Sequence, residues 1–374
     1  MISTTKMLTT GVLAAVLAAP AYPAPASDGG ADTYAVRAAR MLLADGREVE
    51  DAVLLVEGGK IRAAGRGVDV PAGVPVLEHD GVLTAGMIAC HGYSGTRGET
   101  GDDTRSVLAE ARIANALDLG HSDFANALAA GITTLVITPA PDNLAPGSTA
   151  VVKTAGGTIL SSAAHLSLSF TDDALRANRY PTSYGGALAE LDARLADPSG
   201  AFAEAVAGRL PVLFEVSSRD ETQRAAEFAT RHGLGGALHG ARRAGEVLSA
   251  VQQSGLGVIV GPFDPGTPGR QLDSVVALGG ARVPLAFGLD APQEDGDALR
   301  LSAAMCVRDG LDPALAWQGL TSGGADIAGV GRRVGRLEAG LDADFVLWSG
   351  PPLDLTSSVV EVYVDGARVF GGVR

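Results

Sequence analysis

From Thr33 to Gly86 apolar and polar positions alternate over short runs. The segments "TYAVRAARMLLADG", "VEDAVLLVEGGKIRAAG" and "VPVLEHDGVLTAG" are broken by Asp-Gly, Gly-Gly and other glycine-rich turns. Period-two alternation with such punctuation predicts a small antiparallel sheet. The same pattern returns at the other end of the chain in "ADFVLWSG" and "VVEVYVDGARVF", where Asp365-Gly366 is placed to make a tight hairpin. Each piece is too small to bury a core by itself. Together, residues 31–85 and 335–374 predict one β-sandwich assembled from both ends of the chain.

Between them, over residues 86–334, the period changes. Continuous apolar runs ("MIACH", "ITTLVITP", "TAVVKTAG", "AHLSLSF", "PVLFEV", "GALHG", "LGVIVGP", "VPLAFGLD") give eight strand candidates. Among the later ones lie helical stretches such as "GALAELDARLADPSGAFAEAVAG", "ETQRAAEFATRHG" and "ARRAGEVLSAVQQSG", each closed by glycine. This β-then-α rhythm predicts an α/β fold, a (β/α)8 TIM-type barrel of parallel strands with active-site residues at the strands' C-terminal ends. The loops at 97–105 and 262–270 are expected at its mouth.

The first residues break the pattern. Lys6, an apolar run from Gly11 to Ala19 and small residues ending in Ala24-Pro25-Ala26 have the layout of a secretory signal peptide over residues 1–26, and predict a periplasmic or secreted protein. The run is too short to span a bilayer, and no cysteine follows it to carry a lipid anchor, so no membrane association is expected after cleavage. The formal net charge is −14, and the 29 Lys and Arg residues form no basic stripe, which excludes a nucleic-acid partner. Cys90 and Cys306 are the only cysteines. Both lie in apolar elements and are expected as buried free thiols.

Three blocks resemble the amidohydrolase superfamily, in particular its imidazolonepropionase-like and related exported members. "AGMIACHGY" is similar to the strand-one motif that ends in a His-x-His pair, and "ALAAGITTLVIT" looks like the second-strand block. The stretch "VGRLEAGLDADFVLWSGPPLDLTSSVVEVYVDGARVF" resembles the C-terminal signature. The resemblance implies one or two divalent ions held by the His pair, a carboxylated Lys or a Glu on strand four, histidines after strands five and six, and an aspartate after strand eight. Imidazole and carboxylate suit zinc-like ions, and an ion-bound water becomes a nucleophile near neutral pH.

Carried over position by position, His91 matches the first His of the pair, but Tyr93 stands at the second. Strand four, "AHLSLSF", offers neither Lys nor Glu, and the barrel's lysine, Lys153, falls on the preceding strand. Glu215 occupies the strand-five region where a histidine is expected. His239 matches the strand-six histidine and Asp290 the strand-eight aspartate. A two-ion site is therefore lost, since two cations without a bridging carboxylate would repel each other. One ion, zinc first among the candidates, fits His91, His239 and Asp290, with Glu215 as a fourth partner.

Two functions follow. The first is a hydrolase of C–N bonds outside linear protein chains, taking a cyclic amide or dipeptide-like small molecule, with Asp290 and Glu215 in the acid–base and water-positioning roles. Tyr93 would then orient a substrate carbonyl. The second is a degenerate barrel without bound metal, serving as a ligand-binding protein or as the partner of an active relative. Self-association is compatible with either. The simpler alternative for His91 and His239 is a core histidine with both nitrogens satisfied. His121 and His165 are weaker candidates, and Asp102-Asp103 and Asp172-Asp173 fit solvated carboxylates.

Overall fold

A computed structural model describes residues 32–371 apart from 97, 99 and 103. The signal-peptide stretch 1–26 and Asp103 lie outside the described residues. The chain opens with an antiparallel meander, β1 (Thr33–Leu42), β2 (Glu48–Glu57) and β3 (Lys60–Arg66), and β4 (Val76–Ala85) returns parallel to β1. Alternation is what places these strands: Val36, Ala38, Leu54 and Val56 turn to one apolar cluster, while Ala35, Val53 and Leu55 turn to another.

Beyond Gly86 come β5 (Met87–Ala89), α1 (Asp123–Ala129) and β6 (Ile132–Ile137), with β6 parallel to β5. Next are β7 (Gly147–Ser148), β8 (Ala150–Lys153), β9 (Ile159–Ser161) and β10 (Leu166–Ser169). Then the chain alternates: α2 (Tyr184–Ala196), α3 (Gly200–Val206), β11 (Val212–Glu215), α4 (Arg219–His232), β12 (Gly236–His239), α5 (Leu248–Ser254), β13 (Gly257–Val260), α6 (Gly269–Gly280) and β14 (Leu285–Phe287). Strands β10 to β14 are parallel in sequence order, as βαβ units require. Helices α7 (Asp297–Arg308), α8 (Pro313–Leu320) and α9 (Ser322–Ile327) follow, then β15 (Phe345–Trp348), β16 (Val359–Val364) and β17 (Ala367–Phe370).

The result is an α/β fold with mixed sheets. The expectation of parallel strands throughout fails at the third strand candidate. Its two segments run antiparallel to their neighbours, β8 against β6 and β7 against β10. Nine residues separate β6 from the first of these segments, too few for the dozen or more that a parallel crossover takes. On the other side β14 meets β5: Cys90 donates its backbone N–H to Phe287 O at 2.8 Å, and Gly92 and Ala291 form a parallel bridge.

Strands from both chain ends share one hydrogen-bonded sheet of seven, ordered β17-β16-β15-β4-β1-β2-β3. The predicted hairpin lies between β16 and β17, with Asp365 and Gly366 both at positive φ (50° and 74°). One face of the sheet buries Met41, Leu54, Leu83, Phe345 and Tyr363. The other carries Val82, Val346, Trp348 and Val362 into the large core that also holds Ala127 and Ile132. Among the strands of the α/β part, Ile88, Cys90, Val136, Val151, Leu213, Ala237, Ile259 and Ala286 fill a common apolar interior. Cys90 and Cys306 are free and buried, and burial pushes both thiols up to about 12. No described helix is long and apolar enough to cross a membrane.

Candidate active site

Immediately beyond that interior, at the C-terminal ends of the parallel strands, the polar residues converge. Glu215 ends β11 and His239 ends β12, and the parallel register pairs them side by side, so both side chains leave the sheet on the same face. His239 Nδ1 lies 2.7 Å from Glu215 Oε2. His91 follows β5, and its ring stacks on that of His239 with centroids 3.5 Å apart and planes 13° from parallel. Gly288 leaves the space: a Cβ there would stand 3.3 Å from His91 Cβ and 3.5 Å from His239 Nε2.

Two carboxylates flank the stacked rings on opposite edges. Glu215 faces His91 Nε2 at 3.3 Å as well as His239 Nδ1. Asp290, in the left-handed backbone region at φ 56°, lies 2.5 Å from His91 Nδ1 and 3.8 Å from His239 Nε2. The residues are deeply set, with His91 2%, Glu215 4% and His239 8% exposed, whereas the side chain of Asp290 keeps 29% of its surface open. Asp290 is therefore the member of the group that solvent or a ligand reaches most readily.

Burial alone would discharge these groups, and their mutual attraction opposes it. Desolvation lowers the proton affinity of His91, but Glu215 and Asp290 outweigh it and push the imidazole up to about 9. Desolvation likewise resists the charge on Glu215, yet His239 and His91 hold its carboxyl well below the usual range. Asp290 is held low through His91 and His239 against the same penalty. Tyr93 packs edge-on to His91 with centroids 5.3 Å apart. Burial, together with the charges of Glu215 and Asp290, raises its phenol far above the ordinary value, so it stays protonated and is not an anionic metal ligand.

Among the described residues, the metal-capable donors that lie within 4.8 Å of one another are those of His91, Glu215 and His239. Glu215 thus joins the two histidines, and Asp290 stands at the edge of the group. Two buried atoms of this trio, Glu215 Oε1 and His239 Nε2, have no hydrogen-bond partner. Donors about 2.0–2.2 Å from a tetrahedral ion sit roughly 3.3–3.6 Å from each other, a span that His91 Nε2 and Glu215 Oε1 already match at 3.3 Å. By donor chemistry and by these orphaned atoms the residues fit one divalent ion.

Other candidates lie elsewhere. His165 is a core histidine with both nitrogens satisfied, by Thr149 Oγ1 at 3.0 Å and Ile327 O at 2.8 Å, and burial keeps it neutral. His121 pairs with Asp123 at 3.0 Å in the loop before α1. Lys153 sits at the far end of the molecule because β8 runs antiparallel: it is in register with Thr134 near the start of β6. There it meets Asp342, Asp344 and Asp365 at 2.8, 3.0 and 2.5 Å. Sequence reasoning missed Thr138, whose Oγ1 lies 3.1 Å from His91 Nε2 and 3.3 Å from Gly92 O. Its signal, a threonine closing the apolar run of β6, is an unspecific one.

Comparison with known proteins agrees with this picture. Residues 270–369 match the family model described as "Amidohydrolase family". "Imidazolonepropionase" of Acidiphilium cryptum (strain JF-5) is 31% identical over 176 residues, 46% of this chain and 44% of that protein. "Amidohydrolase tasK" of Hapsidospora irregularis is 36% identical over 81 residues, 22% of this chain and 8% of that protein. The chain thus spans less than half the length of these curated relatives. Among solved structures, an amidohydrolase from Thermotoga maritima MSB8 superposes with a TM-score of 0.82 at 20% identity, covering 91% of this chain and all (100%) of the other. A Xaa-Pro dipeptidase with bound methionine gives 0.59 at 13% identity over 91% of this chain and 100% of its own. These structural likenesses concern the fold. The family match at the C-terminal block and the imidazolonepropionase match support the amidohydrolase superfamily, and the shared architecture is in keeping with it.

Proposed function

We propose that this protein hydrolyses a C–N bond in a small molecule, a cyclic amide or a dipeptide-like compound, with one divalent ion, zinc first among the candidates, held by His91, Glu215 and His239. The observation that carries this is the convergence of buried His91, Glu215 and His239, whose metal-capable atoms lie within 4.8 Å of one another. Buried imidazoles gathered on a buried carboxylate are the donor set that a divalent cation satisfies. When bound, the ion supplies Lewis acidity and lowers the pKa of a water. Asp290, the most open of the four, takes the water's proton at its carboxylate and delivers it to the leaving nitrogen. Tyr93, protonated, donates its hydroxyl to the substrate carbonyl.

The relatives named for dipeptide and imidazolone chemistry support the substrate class. The frame proposed for the site is a closed (β/α)8 barrel over residues 86–334, with a β-sandwich domain from 31–85 and 335–374. The Cys90–Phe287 backbone bond between the last and first strands supports closure. Residues 1–26 are proposed to direct export to the periplasm or medium.

A second function has its own observation. The stacked His91–His239 pair is flanked by a carboxylate on each edge, and His91 has partners at both nitrogens, a group that is largely self-satisfied. Together with Tyr93 in the second ligand position, this favours a catalytically silent barrel that binds a ligand. One experiment separates the two. Metal content of the purified chain is measured and a panel of cyclic amides and dipeptides is assayed. Hydrolysis predicts about one ion per chain, lost in His239→Ala, with Asp290→Asn keeping the ion and losing turnover at least about a hundredfold. Folded protein that takes up no zinc and turns over none of the panel overturns it.

A further inference from the structure

At the opposite end of the strands from His91 lies a cavity of 910 Å3, between the C-terminus of α6, the start of β14, the α7–α8 connection and α9. Strand β14 runs from Leu285, which lines this cavity, towards Asp290 on the other side. The walls are mostly apolar, with Val283, Leu311, Leu315 and Ile327 among them, and the volume is that of a small-molecule site. Its charged groups are nearly all engaged. Arg336 is bound to Asp326 through NH2–Oδ2 at 2.5 Å and NH1–Oδ1 at 3.1 Å, and Asp312 accepts from Ala314 N at 2.8 Å to cap α8.

Arg282 is the exception. Among the described residues its side chain has no hydrogen bond or ion pair, yet it lines the cavity. Its backbone is also unusual. It closes α6 in the left-handed region at φ 56°, with Arg282 N–H bonded to Gly279 O and Val283 N–H to Leu278 O, both at 3.0 Å. That helix-closing position favours glycine, because an L side chain there crowds its own carbonyl. Arg282 is exposed, and at the rim of an apolar pocket its unpaired guanidinium supplies the cation that an apolar anion would need.

We infer that this cavity is a binding site, separate from the strand-end residues, for an organic carboxylate with a short aliphatic or aromatic body. The carboxylate pairs with the Arg282 guanidinium and the body lies on Leu311, Leu315 and Ile327. The site is independent of the hydrolytic function proposed above.

Hexanoate titrated into the full chain by calorimetry tests it, with 1-hexanol and hexylamine as comparisons. Saturable one-site binding of hexanoate is expected, with hexanol and hexylamine weaker by about tenfold or more. Arg282→Gln weakens hexanoate by a similar factor. Arg282→Gly does so too, while its unliganded unfolding midpoint stays equal to or above that of the parent, since glycine relieves the left-handed backbone. His239→Ala binds hexanoate like the parent. The inference is overturned if hexanoate does not saturate, if hexanol binds equally, or if Arg282→Gln binds unchanged. It is also overturned if His239→Ala alone abolishes binding, which would put the carboxylate at the strand-end histidines.

Discussion

Proton and metal compete for His91. Glu215 and Asp290, on opposite sides of its ring, raise its proton affinity to about 9 although burial works against them. Metal ligation needs neutral imidazole, so ion affinity is expected to climb with pH up to about 9 and then level off. In the metal-free chain the sign runs the other way. A histidine whose folded pKa lies above its unfolded value of about 6.5 stabilises the fold fully below that value. The contribution is lost as pH rises through about 9. Unfolding midpoints in chelator should therefore fall between pH 6.5 and 9, and His91→Gln should flatten the slope. A midpoint that rises over that interval contradicts the assignment of the proton to His91. Thr138, which meets the same ring at 3.1 Å, shows what residue-level reading leaves out. A histidine or a buried glutamate declares its chemistry by type, but a threonine at a strand end does so only through its neighbours.

At the level of elements, the site depends on two strands staying in register. Gly240, at φ 73° just past β12, has Val216 O 2.1 Å from where a Cβ would lie. Gly240→Ala should push β12 away from β11, separate His239 from Glu215, and weaken metal uptake by at least about tenfold with every ligand still present. Metal titration against the parent measures it, and unchanged uptake would mean the register tolerates the shift. Strands β10 to β14 were legible in the sequence because each is an apolar run followed by a helix-length segment closed by glycine. That spacing is also why His239 and Asp290 could be placed at strand ends. The direction of the third strand was not legible from apolar character, since hydrophobicity is the same read either way. The signal lay in the connection: only "PAPDNLAPGS" separates "ITTLVIT" from "TAVVK", too short for a parallel return. The reversal carries Lys153 to the far end, away from the histidines.

Across the whole molecule, Lys153 joins the sheet built from the chain ends to the α/β part. Its ammonium is fully buried and meets Asp342, Asp344 and Asp365, while Arg333 reaches Asp342 at 2.8 Å and Lys60 pairs with the same carboxylate. Lys153→Met removes the central cation and should cost about 3–5 kcal/mol of stability at neutral pH, because the carboxylates it faced stay buried. Burial pushes Asp344 up to about 6 despite the pull of Lys153. A carboxyl whose folded pKa is raised favours the fold when protonated, and that contribution is lost as pH rises through about 6. The deficit of the variant, read by urea unfolding, should be smaller at pH 5 than at pH 8; an equal deficit would remove Asp344 from the account.

The position of β15 has a consequence for biosynthesis. It lies between β4 and β16, so the first four strands leave the ribosome with one border of their sheet vacant. The Trp348 indole that hydrogen-bonds Thr84 is encoded 264 residues later. During translation that border is open to strands of other nascent chains, and only the arrival of β15 seals it.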